Sequence, residues 1–279
     1  MRDRAVPAPA LFVLGGTSMY VGAAVAVLLF DRVDPSGVAW LRMLGAAGVL
    51  LAWRRPARAA WRGRRLVLAG AFGLVTGLMN VAFYEAIARL PLGTAVAIEF
   101  CGPVAVAALG SRTARDVGAL VLAATGVVLI ADVQLAGEPA GFALALTAAA
   151  LWAGYIVLGQ RVATGDGLDG LTVGFVVAAV LLAPLAAGTG AVWGSPQLLG
   201  LAVGVGVLST AVPYALDQVV LRRTGRARFA LLLALLPATA ALVGLVALGQ
   251  VPRPLEAVGI VAVVAAVALR SPDGEAQSR

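Results

Sequence analysis

The hydrophobic positions of this chain run in long blocks and do not alternate with polar ones. Ten mostly apolar stretches are separated by short polar segments. A helix that crosses a bilayer needs about 20 such residues. We therefore predict an all-α, polytopic membrane protein, with ten transmembrane helices and no separate soluble domain. The predicted spans cover residues 8–30, 35–53, 66–88, 92–110, 116–132, 140–159, 170–188, 198–220, 228–248 and 255–269.

Arginines are concentrated in every second polar segment. Cytoplasmic loops of membrane proteins carry an excess of basic residues, so this bias predicts orientation. Both termini and four of the loops are expected in the cytoplasm, and the chain in the inner membrane. The bias also explains the net charge of +7 without a nucleic-acid partner. Three arginines lie on the other side, namely Arg32, Arg89 and Arg253.

The chain also contains a repeat. Pro103 lies 14 residues after Arg89, and Pro237 lies 14 residues after Arg223. Each proline falls inside the fourth predicted helix of its half, so we divide the chain into residues 1–135 and 136–279. Five helices per half is an odd number, so the halves are predicted to be inverted in the membrane, a transporter signature. Chance similarity between two Ala/Leu/Gly-rich segments is the alternative.

Composition narrows the chemistry. Of the residues, 61% are hydrophobic and 13% are charged, and all 21 basic residues are arginines. Without lysine or histidine the chain can build no P-loop lysine, Schiff base, Ser-His-Asp triad or His-ligated zinc site. We expect no cofactor and no metal. An enzyme is a less favoured alternative, as is a scaffold that transports nothing.

One carboxylate stands out within the stretch VAIEFCGPVAVA (96–107). Glu99 lies seven residues into its predicted helix, which is about 10 Å from the helix start. Arg42 lies equally far into the second predicted helix, so an ion pair between the two is a hypothesis. A charge at the centre of a membrane helix costs roughly 2.5–3.5 kcal/mol, and such residues are functional by default. For Glu99 the alternatives are a structural ion pair and a hydrogen-bonded protonated acid; for Arg42 the alternative is a side chain that reaches the outer surface.

Two further polar groups are candidates for a substrate or proton site. In each group two residues are four apart and share a helix face. For Glu85 an interfacial position is favoured over a role as ligand, and for Asp217 an ion pair with the nearby Arg222 or Arg223 is favoured over a place in the site. The residues are Asn80, Tyr84 and Glu85 in the third helix, and Tyr214, Asp217 and Gln218 in the eighth.

Glycines and prolines predict local geometry. Pro103 and Pro237 interrupt helical hydrogen bonding and are expected to kink their helices. The patterns Gly73-xxx-Gly77 and Gly200-xxx-Gly204 are expected to let helices pack closely.

The stretch FYEAIARLPLGTAVAIEFCGPVAVAALGSR (83–112) resembles the EamA-type transporters of the drug/metabolite superfamily, and most of all their threonine/homoserine exporter branch. The resemblance implies ten helices in two repeats and fits an arginine in the second helix, here Arg42. One departure concerns the residue before the second proline. The exporter branch tends to have an acid there, whereas this chain has Leu236.

These observations predict a secondary transporter that exports a small polar metabolite. An amino acid such as threonine or homoserine, exchanged for protons by alternating access, is the leading interpretation. An exporter of organic cations is the alternative, because an acidic but otherwise apolar cavity suits a cation. The expected partners are the small-molecule substrate, protons and the lipid bilayer.

Overall fold

The computed structural model describes residues 7–110, 113–134, 138–163, 168–213 and 235–269, together with residues 216, 220 and 232. Within these residues every regular element is helical, which confirms the predicted all-α class. Three short non-α helices are Arg58–Trp61, Ala183–Thr189 and the π-helix Val207–Ala211. The α-helices are α1 (Ala8–Leu29), α2 (Pro35–Arg54), α3 (Gly63–Ile87), α4 (Leu92–Glu99), α5 (Cys101–Gly110), α6 (Ala114–Gln134), α7 (Pro139–Ala163), α8 (Leu168–Leu181), α9 (Gly190–Trp193), α10 (Pro196–Gly206), α11 (Leu235–Leu248) and α12 (Pro254–Leu269).

Several of these helices suit a membrane. Among the described residues, four helices are long and apolar enough to cross one, namely α1, α2, α3 and α7. A fifth span results if α8 and the bent segment after it count as one. Large apolar side chains stay exposed on the helices, such as Leu28 at 64% and Val261 at 65%, as expected where lipid is the solvent. The full count of ten, the inverted repeat and the cytoplasmic termini remain predictions.

Two predicted spans differ in form from the structure: 92–110 is divided at Phe100 into α4 and α5, and 170–188 bends. The pattern over 170–188 predicted a single helix, but α8 ends at Leu181 and the helical segment Ala183–Trp193 turns by 63°. Pro184 explains the break, because it has no N–H for the helical ladder and disfavours the α conformation at the residue before it. The chain continues as a short 3₁₀-helix over Ala183–Thr189.

The chain forms two compact units. The first unit comprises Met1–Ala24, Pro91–Gly137 and Val207–Arg279, and the second unit comprises Val25–Leu90 and Glu138–Gly206. Each unit therefore takes helices from both predicted halves of the chain. The two units are defined by which residues contact one another, whereas the predicted halves are defined by a repeat in the sequence. The units therefore do not test the division at residue 135, which stays a prediction.

The second unit is built around α3, which packs against α7 and α8, while α2 packs against α8. Gly73 and Gly174 bring α3 and α8 together so closely that a Cβ atom on Gly73 would overlap the Gly174 backbone. The indole nitrogen of Trp40 donates a 2.8 Å hydrogen bond to the Ala179 carbonyl. The core between α2 and α8 consists of four alanines, one methionine and one phenylalanine, namely Ala46, Ala47, Ala178, Ala179, Met43 and Phe175.

The first unit has its own close contacts. A Cβ atom on Gly126 would lie 2.7 Å from the Gly259 carbonyl oxygen, so α6 and α12 also meet backbone to backbone. Two serines tie α1 to the π-helix. Ser18 donates to the Leu208 carbonyl at 3.0 Å, and Ser209 donates to the Met19 carbonyl at 3.2 Å. The first bond gives a carbonyl of the π-helix a side-chain partner, and the second does the same for a carbonyl within α1.

The two glycine patterns have different outcomes. Gly73 makes the backbone contact with α8 described above, and a Cβ atom on Gly77 would meet the side chain of Leu182. A Cβ atom on Gly200 or Gly204 would meet nothing within 4 Å among the described residues. The first pattern therefore mediates close packing, and the second does not do so within this part of the chain.

Candidate functional site

Glu99 is the last residue of the short helix α4. It is 8% exposed, and every other residue of α4 is buried as well. The helix is separated from α5 at Phe100, whose backbone still accepts a 3.3 Å hydrogen bond from Val104. The residue four positions after Glu99 is Pro103, which has no N–H to donate to the Glu99 carbonyl. The missing bond concerns the backbone carbonyl of Glu99, so this residue lies where the helix is divided.

Arg42 and Tyr84 lie together in the second unit. The guanidinium carbon of Arg42 lies 5.9 Å from the centroid of the Tyr84 ring, a distance suited to a cation–π interaction. Arg42 is half-buried, and the Tyr84 side chain has no exposed surface. The edge of this ring also meets Phe30, at 6.1 Å between centroids.

The hydroxyl of Tyr84 is unusual. It is buried, and among the described residues it has no hydrogen-bond partner. Buried polar groups are nearly always hydrogen-bonded, so an orphan hydroxyl needs an explanation such as a role in binding. One turn earlier, Asn80 is satisfied locally, since its amide donates to the Thr76 carbonyl at 2.8 Å and to the Met43 sulfur at 3.7 Å.

The predicted depths of Arg42 and Glu99 can be compared with the helix starts. Helix α2 begins at Pro35 and α4 begins at Leu92, as predicted, so each charged residue is seven residues from its helix start. Arg42 belongs to the second unit and Glu99 to the first. The ion pair between them stays a prediction.

Glu85, in the last turn of α3, connects this turn to the start of α2 and to Arg89. One carboxylate oxygen accepts a 3.2 Å bond from the backbone N–H of Ser36, in the first turn of α2. The other forms a 2.6 Å ion pair with Arg89, one turn further along. These contacts favour the interfacial interpretation of Glu85 over the role of a ligand.

Removing this carboxylate should affect stability and leave transport intact. We expect Glu85→Ala to lower the free energy of unfolding by about 1 kcal/mol, because a helix start loses its cap and an exposed ion pair adds little. Thermal unfolding in detergent measures this. The matched control is Glu138→Ala at an exposed carboxylate, which should change nothing. A loss of transport without a loss of stability would instead make Glu85 a ligand.

Sequence reasoning missed a polar cluster in the first unit. The hydroxyl of Thr94, in the first turn of α4, donates a hydrogen bond to the Glu256 carboxylate in the first turn of α12. Glu256 is 2% exposed and Thr94 is fully buried. Arg253-Pro254-Leu255-Glu256 has a proline at the first helical position and a glutamate at the third, which signals a helix start but not this contact.

Several predicted site residues lie outside the described part of the chain. Tyr214, Asp217 and Gln218 are outside the described residues. Pro237 is the third residue of α11 and is buried, but the carbonyl it would leave unpaired belongs to Leu233, which is also outside them. No group of three or more His, Cys, Asp or Glu among the described residues is arranged to hold a metal ion.

Comparison with known proteins connects this geometry to a family. Residues 139–271 match the EamA-like transporter family. The threonine/homoserine exporter RhtA of Salmonella typhimurium strain LT2 is 36% identical over 259 residues, which cover 90% of this chain and 86% of the exporter. The chain belongs to the EamA-like transporter family. The RhtA protein of Escherichia coli K12 is 35% identical over 255 residues, covering 89% of this chain and 86% of that protein.

A solved structure also shares the overall fold of this chain. A solved crystal structure of a protein aligns with a TM-score of 0.57 over 94% of this chain and 97% of that one. Its sequence identity of 20% supports the fold alone. By its family, which the sequence matches show, the chain is a membrane protein of the EamA-like transporter type.

Leu236 marks how this EamA-like transporter departs from the expected pattern. It precedes Pro237, where the resemblance led us to expect an acid, and it is buried at 8% exposure. Leu236 therefore presents hydrocarbon to its surroundings, and the charged candidates in the described part of the chain come from α2, α3 and α4.

Proposed function

We propose that this EamA-like transporter exports threonine, homoserine or an amino acid of similar size across the inner membrane in exchange for protons. The observation that carries the proposal is the 36% identity, over 90% of the chain, to proteins named as threonine/homoserine exporters. The buried carboxylate at the division between α4 and α5 supplies the group that proton exchange needs.

Glu99 is the proposed exchange group. When protonated it is neutral and is accommodated in an apolar environment; when ionised it attracts the ammonium group of an amino acid. Proton and substrate then compete for one charge state, so the release of one permits the binding of the other. This competition couples export to the proton gradient without a second acid in α11.

Arg42 and Tyr84 are the proposed partners of the substrate carboxylate. A guanidinium binds a carboxylate through two parallel hydrogen bonds, and the Arg42 guanidinium lies over the Tyr84 ring, whose hydroxyl has no partner among the described residues. In the empty transporter Arg42 would keep Glu99 ionised. Asn80, Tyr214 and Gln218 are proposed to line the path, and the two five-helix halves to alternate about it.

Transport in proteoliposomes tests the proposal. Vesicles containing the full-length protein and loaded with radiolabelled threonine or homoserine should lose label faster when the external medium is more acidic. Protein-free vesicles are the control. Failure to release either amino acid above that control, or release that ignores the pH difference, would refute proton-coupled amino-acid export.

The buried Leu236 favours one competitor, an exporter of organic cations. The same vesicles distinguish organic-cation export from amino-acid export. Tetraphenylphosphonium should leave threonine efflux unchanged if the substrate is an amino acid. If it is itself carried, and threonine is not, the organic-cation function replaces ours.

Tyr84→Phe should separate binding from stability. The substitution removes a buried hydroxyl without a described partner, so the free energy of unfolding should stay the same or rise. The Michaelis constant for threonine should increase about fivefold, the value of one lost hydrogen bond. Tyr20→Phe in α1 is the matched control. A Tyr84→Phe variant that unfolds more easily but transports normally would assign the hydroxyl to structure.

A further inference from the structure

The N-terminal turn of α4 is held by two side chains from the C-terminal segment. The backbone N–H of Leu92 donates a 2.9 Å hydrogen bond to the side-chain oxygen of Gln250. Two residues later, the hydroxyl of Thr94 donates to the Glu256 carboxylate. All four residues belong to the first unit, and we call these two hydrogen bonds the α4 clamp.

Backbone packing places the clamp. Gly93 lies against α11 so closely that a Cβ atom there would be 2.6 Å from the Ala241 Cα. Gln250 is itself held, because its backbone N–H donates a 3.0 Å bond to the Gly244 carbonyl. The first turn of α4 is thus held by α11, by Gln250 in the loop before α12, and by Glu256 in α12.

Glu256 does more than cap its own helix. One oxygen accepts a 3.2 Å bond from the Arg253 backbone N–H, the usual contact of a glutamate at the third helical position. That role needs a single oxygen and no burial. The other oxygen is used across helices, on Thr94, and the side chain is 2% exposed. Burial of a carboxylate is unfavourable unless it is hydrogen-bonded, so Thr94 is an integral partner.

Because the helix is divided at Phe100, the contact between Thr94 and Glu256 can influence the position of Glu99. Because Pro103 cannot complete the helical ladder, α4 is a short helix separated from α5 at the end that carries Glu99. The opposite, N-terminal end of α4 is held by the α4 clamp. From Thr94 to Glu99 is five residues, or about 7.5 Å along a helix. A turn or slide of the first turn therefore displaces the carboxylate directly.

We propose that the Thr94–Glu256 hydrogen bond positions α4 and thereby sets the place of Glu99 for proton exchange. Thr94 and Glu256 are positioning residues; neither contacts the substrate. The inference rests on the proposed role of Glu99, but the position of α4 can be measured without any transport.

Cys101 provides that measurement. It is the only cysteine of the chain, it lies two residues after Glu99, and its side chain is partly exposed. In the full-length protein, Thr94→Val should raise the rate of Cys101 labelling by N-ethylmaleimide about tenfold, since a hydrogen bond to a charged acceptor changes a local equilibrium by that factor or more. Thr94→Ser, which keeps the hydroxyl, should restore the wild-type rate.

Thr125→Val is the matched control. This threonine belongs to the same unit, but among the described residues its hydroxyl bonds only within its own helix, to the Val121 carbonyl at 2.8 Å. It should label as the wild type does. Equal labelling of Thr94→Val and wild type, including no labelling of either, would overturn the clamp. Equal effects of Thr94→Val and Thr94→Ser would also overturn it.

Transport tests the link to Glu99. Thr94→Val should lower the maximal rate of threonine export about tenfold, normalised to folded protein, and leave the Michaelis constant unchanged. Faster labelling with a normal export rate would refute the link to Glu99, although α4 had moved. Should the wild type export no amino acid, the proposed function fails, and the labelling comparison still decides whether the clamp exists.

Discussion

Glu99→Gln is expected to reduce proton-driven threonine export by at least about 100-fold, or roughly 2.7 kcal/mol in the transport barrier. Glutamine has the shape of glutamate but can neither release a proton nor attract an ammonium group. The variant should fold, because a neutral amide is less costly than a carboxylate at a position that is 8% exposed. The measurement is efflux from loaded proteoliposomes with and without an inward proton gradient.

The control for this variant is a carboxylate outside the proposed path. Glu138 is exposed just before α7, and its backbone carbonyl accepts the first helical bond from Phe142 at 3.1 Å. Glu138→Gln leaves that bond in place and should transport like the wild type. A Glu99→Gln variant that exports threonine at the normal rate and still responds to the gradient would remove Glu99 from the coupling mechanism.

Local patterns predicted much of the fold. Helices α2 and α4 start at Pro35 and Leu92, where a polar or proline-containing segment meets an apolar block. The bend after α8 was missed, although Pro184 is visible in the sequence. Prolines inside membrane helices are often accommodated with a modest kink, because neighbouring groups satisfy the freed carbonyl. A turn of 63° therefore depends on what surrounds the proline, which composition does not reveal.

The candidate site was predictable where one residue was anomalous by itself. Glu99 interrupts a run of apolar side chains, so the cost of solvating its charge alone marks it as a candidate. Glu256 has nothing anomalous beside it, since an acid near the start of a helix is ordinary. Its burial arises from Thr94, 162 residues away in sequence. Pairings of this range are set by helix packing and are invisible to periodicity.

The glycine patterns give the second large prediction. Gly73→Ala should lower the free energy of unfolding by about 3 kcal/mol, the upper end for overpacking, and the melting temperature by roughly 6–10 °C. The added methyl group would overlap the Gly174 backbone, and a backbone cannot move aside as the end of a side chain does. A Cβ atom on Gly174 would in turn lie 2.6 Å from the Ala69 carbonyl oxygen, so α3 and α8 have no slack at this point.

Gly200→Ala is the matched test, because the same substitution is made in the same glycine pattern. Nothing described lies within 4 Å of its added methyl group, and alanine favours a helix over glycine by about 1 kcal/mol. The variant should therefore melt at or slightly above the wild-type temperature. If both alanine variants melt together, the contact between α3 and α8 does not determine stability. If only Gly73→Ala has a lowered melting temperature, the effect of a glycine in this pattern depends on the backbone that it contacts. The pattern alone would not explain it, because both variants replace a glycine of the same pattern.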